Sequence, residues 1–94
     1  SLVKGKAEYF AYIVNDNSMN QKGIYQNDVV ILKKNNIASN NDIILAEYNN
    51  IINLKEYFKD KEGLTLKDDI ESITTKDNEI RVIGKVVGLY RNYN

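Results

Sequence analysis

The side chains able to carry covalent chemistry in this chain are limited, because its 94 residues include neither histidine nor cysteine. A histidine-based triad, a thiol nucleophile and an ordinary structural zinc site are therefore excluded. A serine can instead be activated by a neutral lysine that acts as general base. Ser18, at a strand-to-turn junction, and Lys55, inside a predicted strand, are one pair that such chemistry could use, although the chain has eleven lysines.

A lysine base has a demanding physical requirement. A lysine has an ordinary pKa of about 10.4, so a base at neutral pH needs that pKa lowered by about 3 units through desolvation. Lys55 shares one face of an apolar run with Ile51 and Tyr57, which could supply apolar surroundings. However, a lysine inside a strand is more often solvated, and Ser18 could equally be a simple helix cap. Spacing alone therefore does not establish the pair.

The elements that must position these residues are short strands. Runs rich in β-branched and aromatic residues predict strands, with no helical period of useful length. The predicted strands are Ala7 to Val14, Asp28 to Lys33, Asp42 to Tyr48, Ile51 to Phe58, Leu64 to Leu66 and Glu79 to Tyr90. The polar stretch Lys67 to Asn78 receives no element.

Turn residues separate these runs. Asn49-Asn50 predicts a two-residue hairpin loop, and Gly84 and Gly88 predict bends or bulges in the last strand. Asp16 or Asn17 is expected to cap the segment that contains Ser18. The chain length leaves room for one mainly β domain over residues 1–94.

Composition restricts the partners. Thirteen Lys and Arg balance thirteen Asp and Glu, which argues against a surface for nucleic acid. No run of about 18 apolar residues is present, so we expect a soluble, cytoplasmic chain that does not enter a membrane. Asp68, Asp69 and Asp77 are expected to be turn residues. We predict no metal site and no cofactor.

A set of motifs in a fixed order makes the interpretation more specific. These motifs are Ser18-Met19, Gly23-Ile24, the strand led by Asp28, Asn41 to Ile44 with Ala46, Leu54-Lys55, and Ile83 to Arg91. Taken together they resemble the LexA-like self-cleaving repressor family, which includes UmuD-type proteins and the C-terminal domains of lambda-type phage repressors. These cover nearly the whole chain.

The resemblance implies a fold and a reaction. The fold would be a compact, partly open barrel-like β domain with a Ser-Lys peptidase site. Ser18 would be the nucleophile and Lys55 the general base and acid, while the backbone N–H groups of Asn17 and Ser18 would stabilise the oxyanion. Met19 would line the core or the pocket.

The resemblance also implies partners and a substrate. The substrate would be a peptide bond, commonly Ala-Gly, in a linker to an N-terminal helix-turn-helix domain, both outside this chain. Dimerisation would use the terminal strand at Leu89, Tyr90 and Arg91. A RecA filament would promote cleavage after DNA damage, and operator DNA would be bound only by the missing domain.

Three positions depart from the family pattern and keep alternatives open. Asp16 stands where the family often has glycine, Asn27 also replaces a glycine, and Glu56 replaces a basic residue. Asp16 could disturb the nucleophile turn or favour the charged form of Lys55. The second hypothesis is therefore a non-catalytic oligomerisation or regulatory domain. A signal-peptidase relative that acts on other chains is disfavoured, because no membrane anchor is present.

Overall fold

The computed structural model describes residues 6–93. Seven strands account for most of this range, together with two short 3-10 turns at Asn20–Lys22 and Asp77–Glu79. The strands are β1 (Tyr9–Ile13), β2 (Val29–Lys34), β3 (Ile43–Tyr48), β4 (Ile51–Asp60), β5 (Gly63–Lys67), β6 (Ser72–Thr75) and β7 (Ile80–Tyr90).

All seven strands belong to one antiparallel sheet in the order β1-β2-β7-β3-β4-β5-β6. The sheet is not closed, since β1 and β6 lie at its two edges. The prediction of a mainly β, partly open domain is therefore confirmed. The last strand, β7, lies between β2 and β3 and joins the two parts of the sheet.

The predicted strands are all present, with boundaries that differ by one or two residues. The largest omission is β6, which lies inside the polar stretch left without an element. β4 also continues two residues beyond its predicted end, to Asp60.

Asparagine supplies the tight turn between β3 and β4. Asn49 and Asn50 have φ angles of 51° and 64°, the left-handed conformation that both positions of a type I′ hairpin loop require. Asn27 likewise has a φ of 74°, so it adopts the backbone conformation for which a glycine would otherwise be favoured.

Two register shifts interrupt β7, each next to a glycine. Ile83 is the extra residue opposite β3, and Val87 is the extra residue opposite β2. Gly84 also permits a close approach, because a Cβ at this position would lie 2.9 Å from the Lys33 carbonyl oxygen and 3.1 Å from the Phe10 ring. The predicted irregularities are confirmed.

Alternation along β4 divides the core between the two faces of the sheet. Leu54 packs in a cluster with Met19 and Leu32, whereas Tyr57 packs in a second cluster with Leu66. Lys55 projects on the same face as Tyr57. The lysine therefore lies beside an apolar cluster, as its sequence neighbours predict.

Candidate active site

Ser18 lies in the turn that follows β1, and only 6% of its surface is exposed. Backbone hydrogen bonds brace this turn from both sides: Val14 N–H donates to the Asp28 carbonyl over 2.8 Å, and Asn27 N–H donates to the Val14 carbonyl over 2.8 Å. Met19 is buried in the core immediately after the serine. The serine is thus fixed to the body of the domain.

The Asp16 carboxylate engages the reactive groups of Ser18. Its Oδ1 atom accepts the Ser18 hydroxyl over 2.7 Å and the Ser18 backbone N–H over 3.0 Å. The capping prediction is wrong in detail, because Met19 occupies the N-cap of the 3-10 turn and no side chain caps it. Asp16 instead closes the turn before that position. The same Asp16 oxygen therefore accepts hydrogen bonds from the Ser18 hydroxyl and from the Ser18 N–H, which is one of the two predicted oxyanion donors.

Asn17 lies between these two residues and contacts a different part of the turn. Its side-chain oxygen accepts the backbone N–H of Gln26 over 3.1 Å. This bond holds the serine turn against the segment that leads into β2.

Lys55 is buried in β4, with 4% of its surface exposed. Its Nζ atom donates to Asp68 Oδ2 over 2.7 Å and to Glu71 Oε2 over 3.1 Å. Within the described part of the chain, Nζ makes no hydrogen bond to the Ser18 hydroxyl, which is donated to Asp16. Both candidate reactive groups are therefore bound to carboxylates.

Asp68 divides its two oxygens between a turn and the lysine. While Oδ2 accepts Lys55, Oδ1 accepts the backbone N–H groups of Ile70 at 2.8 Å and Glu71 at 2.9 Å. Burial opposes ionisation of this carboxyl, but the bonds from Lys55 and from the two N–H groups outweigh burial and hold the pKa of Asp68 below its ordinary value. Asp68 and Lys55 thus form a buried ion pair.

The loop 68–71 between β5 and β6 also contacts the serine turn. Asp69 donates its backbone N–H to the Ser18 carbonyl over 2.8 Å, and its carboxylate accepts the Gln21 N–H over 2.9 Å. One short loop therefore touches the backbone of Ser18 and the amine of Lys55. This brings the two candidate residues to neighbouring positions around the loop.

A cavity of about 190 Å³ opens beside Lys55. Its walls include Ala46, Leu66 and Ile73, and Glu71 lies at its edge. A second cavity, of about 180 Å³, is lined by Met19 and Asp68 among other residues. Met19 thus belongs to the core and also borders a cavity.

Glu56 faces away from Lys55, as strand alternation predicts. Its carboxylate pairs with Lys22 at 3.2 Å and with Lys67 at 3.8 Å. Its charge is therefore taken up by two lysines on the other side of the strand.

The terminal residues predicted to form a dimer contact lie in two different environments. Leu89 and Tyr90 are 41% and 60% exposed. Arg91 instead binds within the chain: its Nε and Nη2 atoms lie 2.7 Å and 2.6 Å from the two Asp28 oxygens. Its guanidinium also lies 4.9 Å from the centre of the Tyr25 ring. The hydrogen bonds from Arg91 are the main cause that lowers the pKa of Asp28 to about 2.

The terminal strand is not a free edge along its whole length. The half from Ile80 to Lys85 pairs with β3, and the half from Gly84 to Tyr90 pairs with β2. Among the described strands, Val86 to Tyr90 has a partner on one side only. An exposed edge therefore exists at the end of β7.

Sequence reasoning missed Asp68 and Glu71 as partners of Lys55, since it assigned the former only to a turn. The available signal was a cluster of acidic residues directly after β5, the strand that pairs with β4. Within residues 6–93, no group of three or more acidic side chains is arranged to hold a metal ion. No helix in the same range is long and apolar enough to cross a membrane.

Comparison with known proteins shows the family to which this β domain belongs. The Peptidase S24-like family profile matches residues 1–87, and the chain belongs to this family. The LexA repressor of Clostridium acetobutylicum is 35% identical over 95 residues, which cover 99% of this chain and 46% of that protein. That of Clostridium tetani is 37% identical over 94 residues, with 97% and 46% covered.

A third relative, the LexA repressor of Caldicellulosiruptor saccharolyticus, is 34% identical over 90 residues, which cover 93% of this chain and 44% of that protein. The chain thus spans about half the length of the curated relatives it matches. The resemblance to the C-terminal domain of LexA-like repressors is confirmed.

Proposed function

We propose that this chain is the self-cleaving and dimerising domain of a LexA-like repressor, with Ser18 as nucleophile and Lys55 as general base. The substrate is a peptide bond in a linker upstream of Ser1, which joins the domain to a helix-turn-helix domain outside this chain. In the intact protein, that second domain binds operator DNA in the cytoplasm. A RecA filament promotes the cleavage.

The observation that carries this proposal is the burial of both groups around one loop. A lysine with 4% exposure is rare unless its amine has a role or a partner. Lys55 reaches the loop 68–71 through Asp68, and Ser18 reaches the same loop through Asp69. The proposed reaction requires Asp16 to release the hydroxyl and Asp68 to release the amine, so that the two groups can meet.

The reaction needs Lys55 in its neutral form. Lys55 Nζ takes the proton of the Ser18 hydroxyl while Oγ bonds to the scissile carbonyl carbon, and the N–H groups of Asn17 and Ser18 stabilise the resulting oxyanion. The C–N bond then breaks, and the departing amine takes the proton from Nζ. Water then bonds to the acyl carbon while Lys55 Nζ accepts its proton; the ester C–O bond breaks, and Nζ passes the proton to Oγ, which restores the free serine and the neutral lysine.

A longer polypeptide that includes the segment upstream of Ser1 tests the activity. We expect mass spectrometry to detect cleavage of the unaltered chain that accelerates between about pH 7 and pH 10, as lysine loses its proton. The matched variants are Ser18→Ala, and Lys55→Arg, which keeps the buried charge but cannot act as a base. Both should remain folded and uncleaved. Unchanged cleavage in Ser18→Ala would overturn the nucleophile assignment.

Dimerisation is proposed at the end of β7, where Leu89 and Tyr90 are exposed and one strand edge lacks a described partner. We expect sedimentation to give a dimer that Tyr90→Asp weakens. Arg91 remains part of the proposed surface, where the contact of its guanidinium with Asp28 fixes its side chain. A monomer at high concentration would remove this part of the proposal.

The second candidate is a regulatory domain that keeps the fold but does not cleave. The observation that favours it is the engagement of the serine by Asp16 and of the lysine by Asp68 and Glu71. It predicts a dimer in sedimentation and no cleavage at any pH, even when the upstream segment is present.

A further inference from the structure

We propose that Asp68 is a latch that holds Lys55 in its charged, resting form, and that self-cleavage requires the loop 68–71 to release the lysine. This inference rests on the proposed Ser-Lys reaction and adds its control. It assigns Asp68 the role of a positioning residue, because it acts through Lys55 and need not touch the substrate.

The geometry of the ion pair supports a latch. The side chains of Lys55 and Asp68 are each 5% exposed, and their atoms are 2.7 Å apart. Glu71 binds the same amine at 3.1 Å, but its side chain is 54% exposed. Because opposite charges interact more strongly where water is excluded, Asp68 is the dominant partner. A lysine held in this way keeps the proton that it must lose to act as a base.

The other charged groups near this site are already occupied. Glu56, the neighbour of Lys55 in β4, pairs with Lys22 and Lys67 on the opposite face. Directly before β3, Asp42 pairs with Lys85. Asp16 in the serine turn accepts Ser18.

One further titratable group, Tyr48 of β3, lines the same cavity as Lys55. It makes no described hydrogen bond to the lysine amine. Asp68 and Glu71 are thus the carboxylates that contact the amine.

Movement of the loop would release the Lys55 amine and remove one backbone contact from the serine turn, while the Ser18 hydroxyl would stay bound to Asp16. Asp68 closes the turn through its Oδ1 atom and holds the lysine through Oδ2, while the next residue donates its N–H to the Ser18 carbonyl. The loop leads into β6, an edge strand that pairs only with β5 among the described strands. Displacing the loop together with β6 would therefore break few backbone hydrogen bonds.

Asp68→Asn is the informative variant, because it retains an oxygen for the turn and removes the charge that faces Lys55. In the longer polypeptide we expect Asp68→Asn to shift the pH profile of cleavage toward lower pH by about one to two units, which is about 10- to 100-fold in rate at neutral pH. Glu71→Gln should shift it less, because its side chain is more exposed. Asp77→Asn, in the exposed pair with Lys59, is the matched control and should leave the profile in place.

A second measurement does not depend on cleavage. Titration of the Lys55 ammonium by 1H–15N NMR in the 94-residue chain should show loss of its proton at lower pH in Asp68→Asn than in the unaltered protein. If Asp68→Asn fails to fold, Asp68→Ser provides the same test, because it keeps an oxygen for the turn and removes the charge.

The outcomes separate the latch from the proposed function. Cleavage that depends on Ser18 but has the same pH profile in Asp68→Asn overturns the latch and leaves the peptidase intact. Cleavage seen only after Asp68→Asn supports both. If no variant cleaves, the peptidase proposal fails. An unchanged NMR titration of Lys55 in Asp68→Asn would then overturn the latch as well. A shifted titration would instead support the electrostatic effect of Asp68 on Lys55.

Discussion

The backbone N–H of Asp69 donates to the carbonyl oxygen of Ser18 over 2.8 Å. The preceding residue, Asp68, binds the amine of Lys55. Two adjacent residues of one loop thus connect a serine turn after β1 to a lysine in β4. Ser18 and Lys55 are far apart in the sequence, and the loop that contacts both belongs neither to the serine turn nor to β4.

The buried ion pair gives a stability prediction. Lys55→Met leaves the Asp68 carboxylate without its main cation in a buried site, so we expect the free energy of unfolding in urea to fall by about 2 to 3 kcal/mol. Lys55→Met combined with Asp68→Asn should cost less than the two single changes together, because the partners are coupled. Lys59→Met breaks an exposed pair and serves as the control, with little change expected. Equal losses in the two lysine variants would contradict the buried assignment.

The contact between Asp16 and Ser18 predicts the reactivity of the serine. Asp16→Gly removes the oxygen that holds both the hydroxyl and the backbone N–H, so labelling of Ser18 by a fluorophosphonate should become faster. The loss of the turn bonds should also lower stability by about 1 kcal/mol. Mass spectrometry of the labelled chain gives the rate, and Ser18→Ala should remain unlabelled. Slower labelling of Asp16→Gly would show that the carboxylate activates the serine.

The ion pair between Arg91 and Asp28 predicts how the free energy of unfolding depends on pH. The folded-state pKa of Asp28, about 2, lies below its ordinary value of 3.8. The contribution of this group is therefore fully present above the higher value and is lost as the pH falls through the lower one. Urea midpoints measured from about pH 6 to pH 2 should fall less steeply for Asp28→Asn, which starts from a lower midpoint. Parallel curves for the two proteins would contradict this assignment.

The close approach at Gly84 predicts a difference between two glycines of one strand. Gly84→Ala places a methyl group against the Lys33 carbonyl and the Phe10 ring, and it should lower the free energy of unfolding by about 1 to 3 kcal/mol. Gly88→Ala meets its nearest atom at 3.7 Å, an ordinary contact, so it should change stability little. Thermal unfolding of both variants provides the comparison. Similar losses would indicate that backbone freedom, and not space, selects glycine at both sites.

Local patterns predicted most of the fold, because strands and tight turns depend on nearby residues. The asparagine pair between β3 and β4 and the irregularities of β7 were predicted in this way. The strand β6 was missed because its sequence, Ser72 to Thr75, contains one large apolar side chain and lies in a polar stretch. This segment forms a strand because it pairs with β5 and packs one face against the rest of the domain, and neither contact is visible in its local sequence.

The candidate site was predicted in part. The positions of Ser18 and Lys55 came from motif order, whereas the partners of Lys55 depend on the register of β4 and β5. The same limit applies to Asp28 and Arg91, which are 63 residues apart and meet only in the folded sheet. Pairings of this kind are set by tertiary structure and leave no periodic signal in the sequence.

The place of β7 has a consequence for synthesis of the chain. This strand is made last of the seven, yet it lies between β2 and β3, the two strands that it joins. Until it emerges from the ribosome, the β1-β2 hairpin and the β3-to-β6 meander have no strand to connect them, and Val30 and Leu32 lack a neighbouring strand on one side. Folding into one sheet must therefore wait until β7 has been synthesised, and a chain that stops before Ile80 would lack the strand that connects these two parts of the sheet.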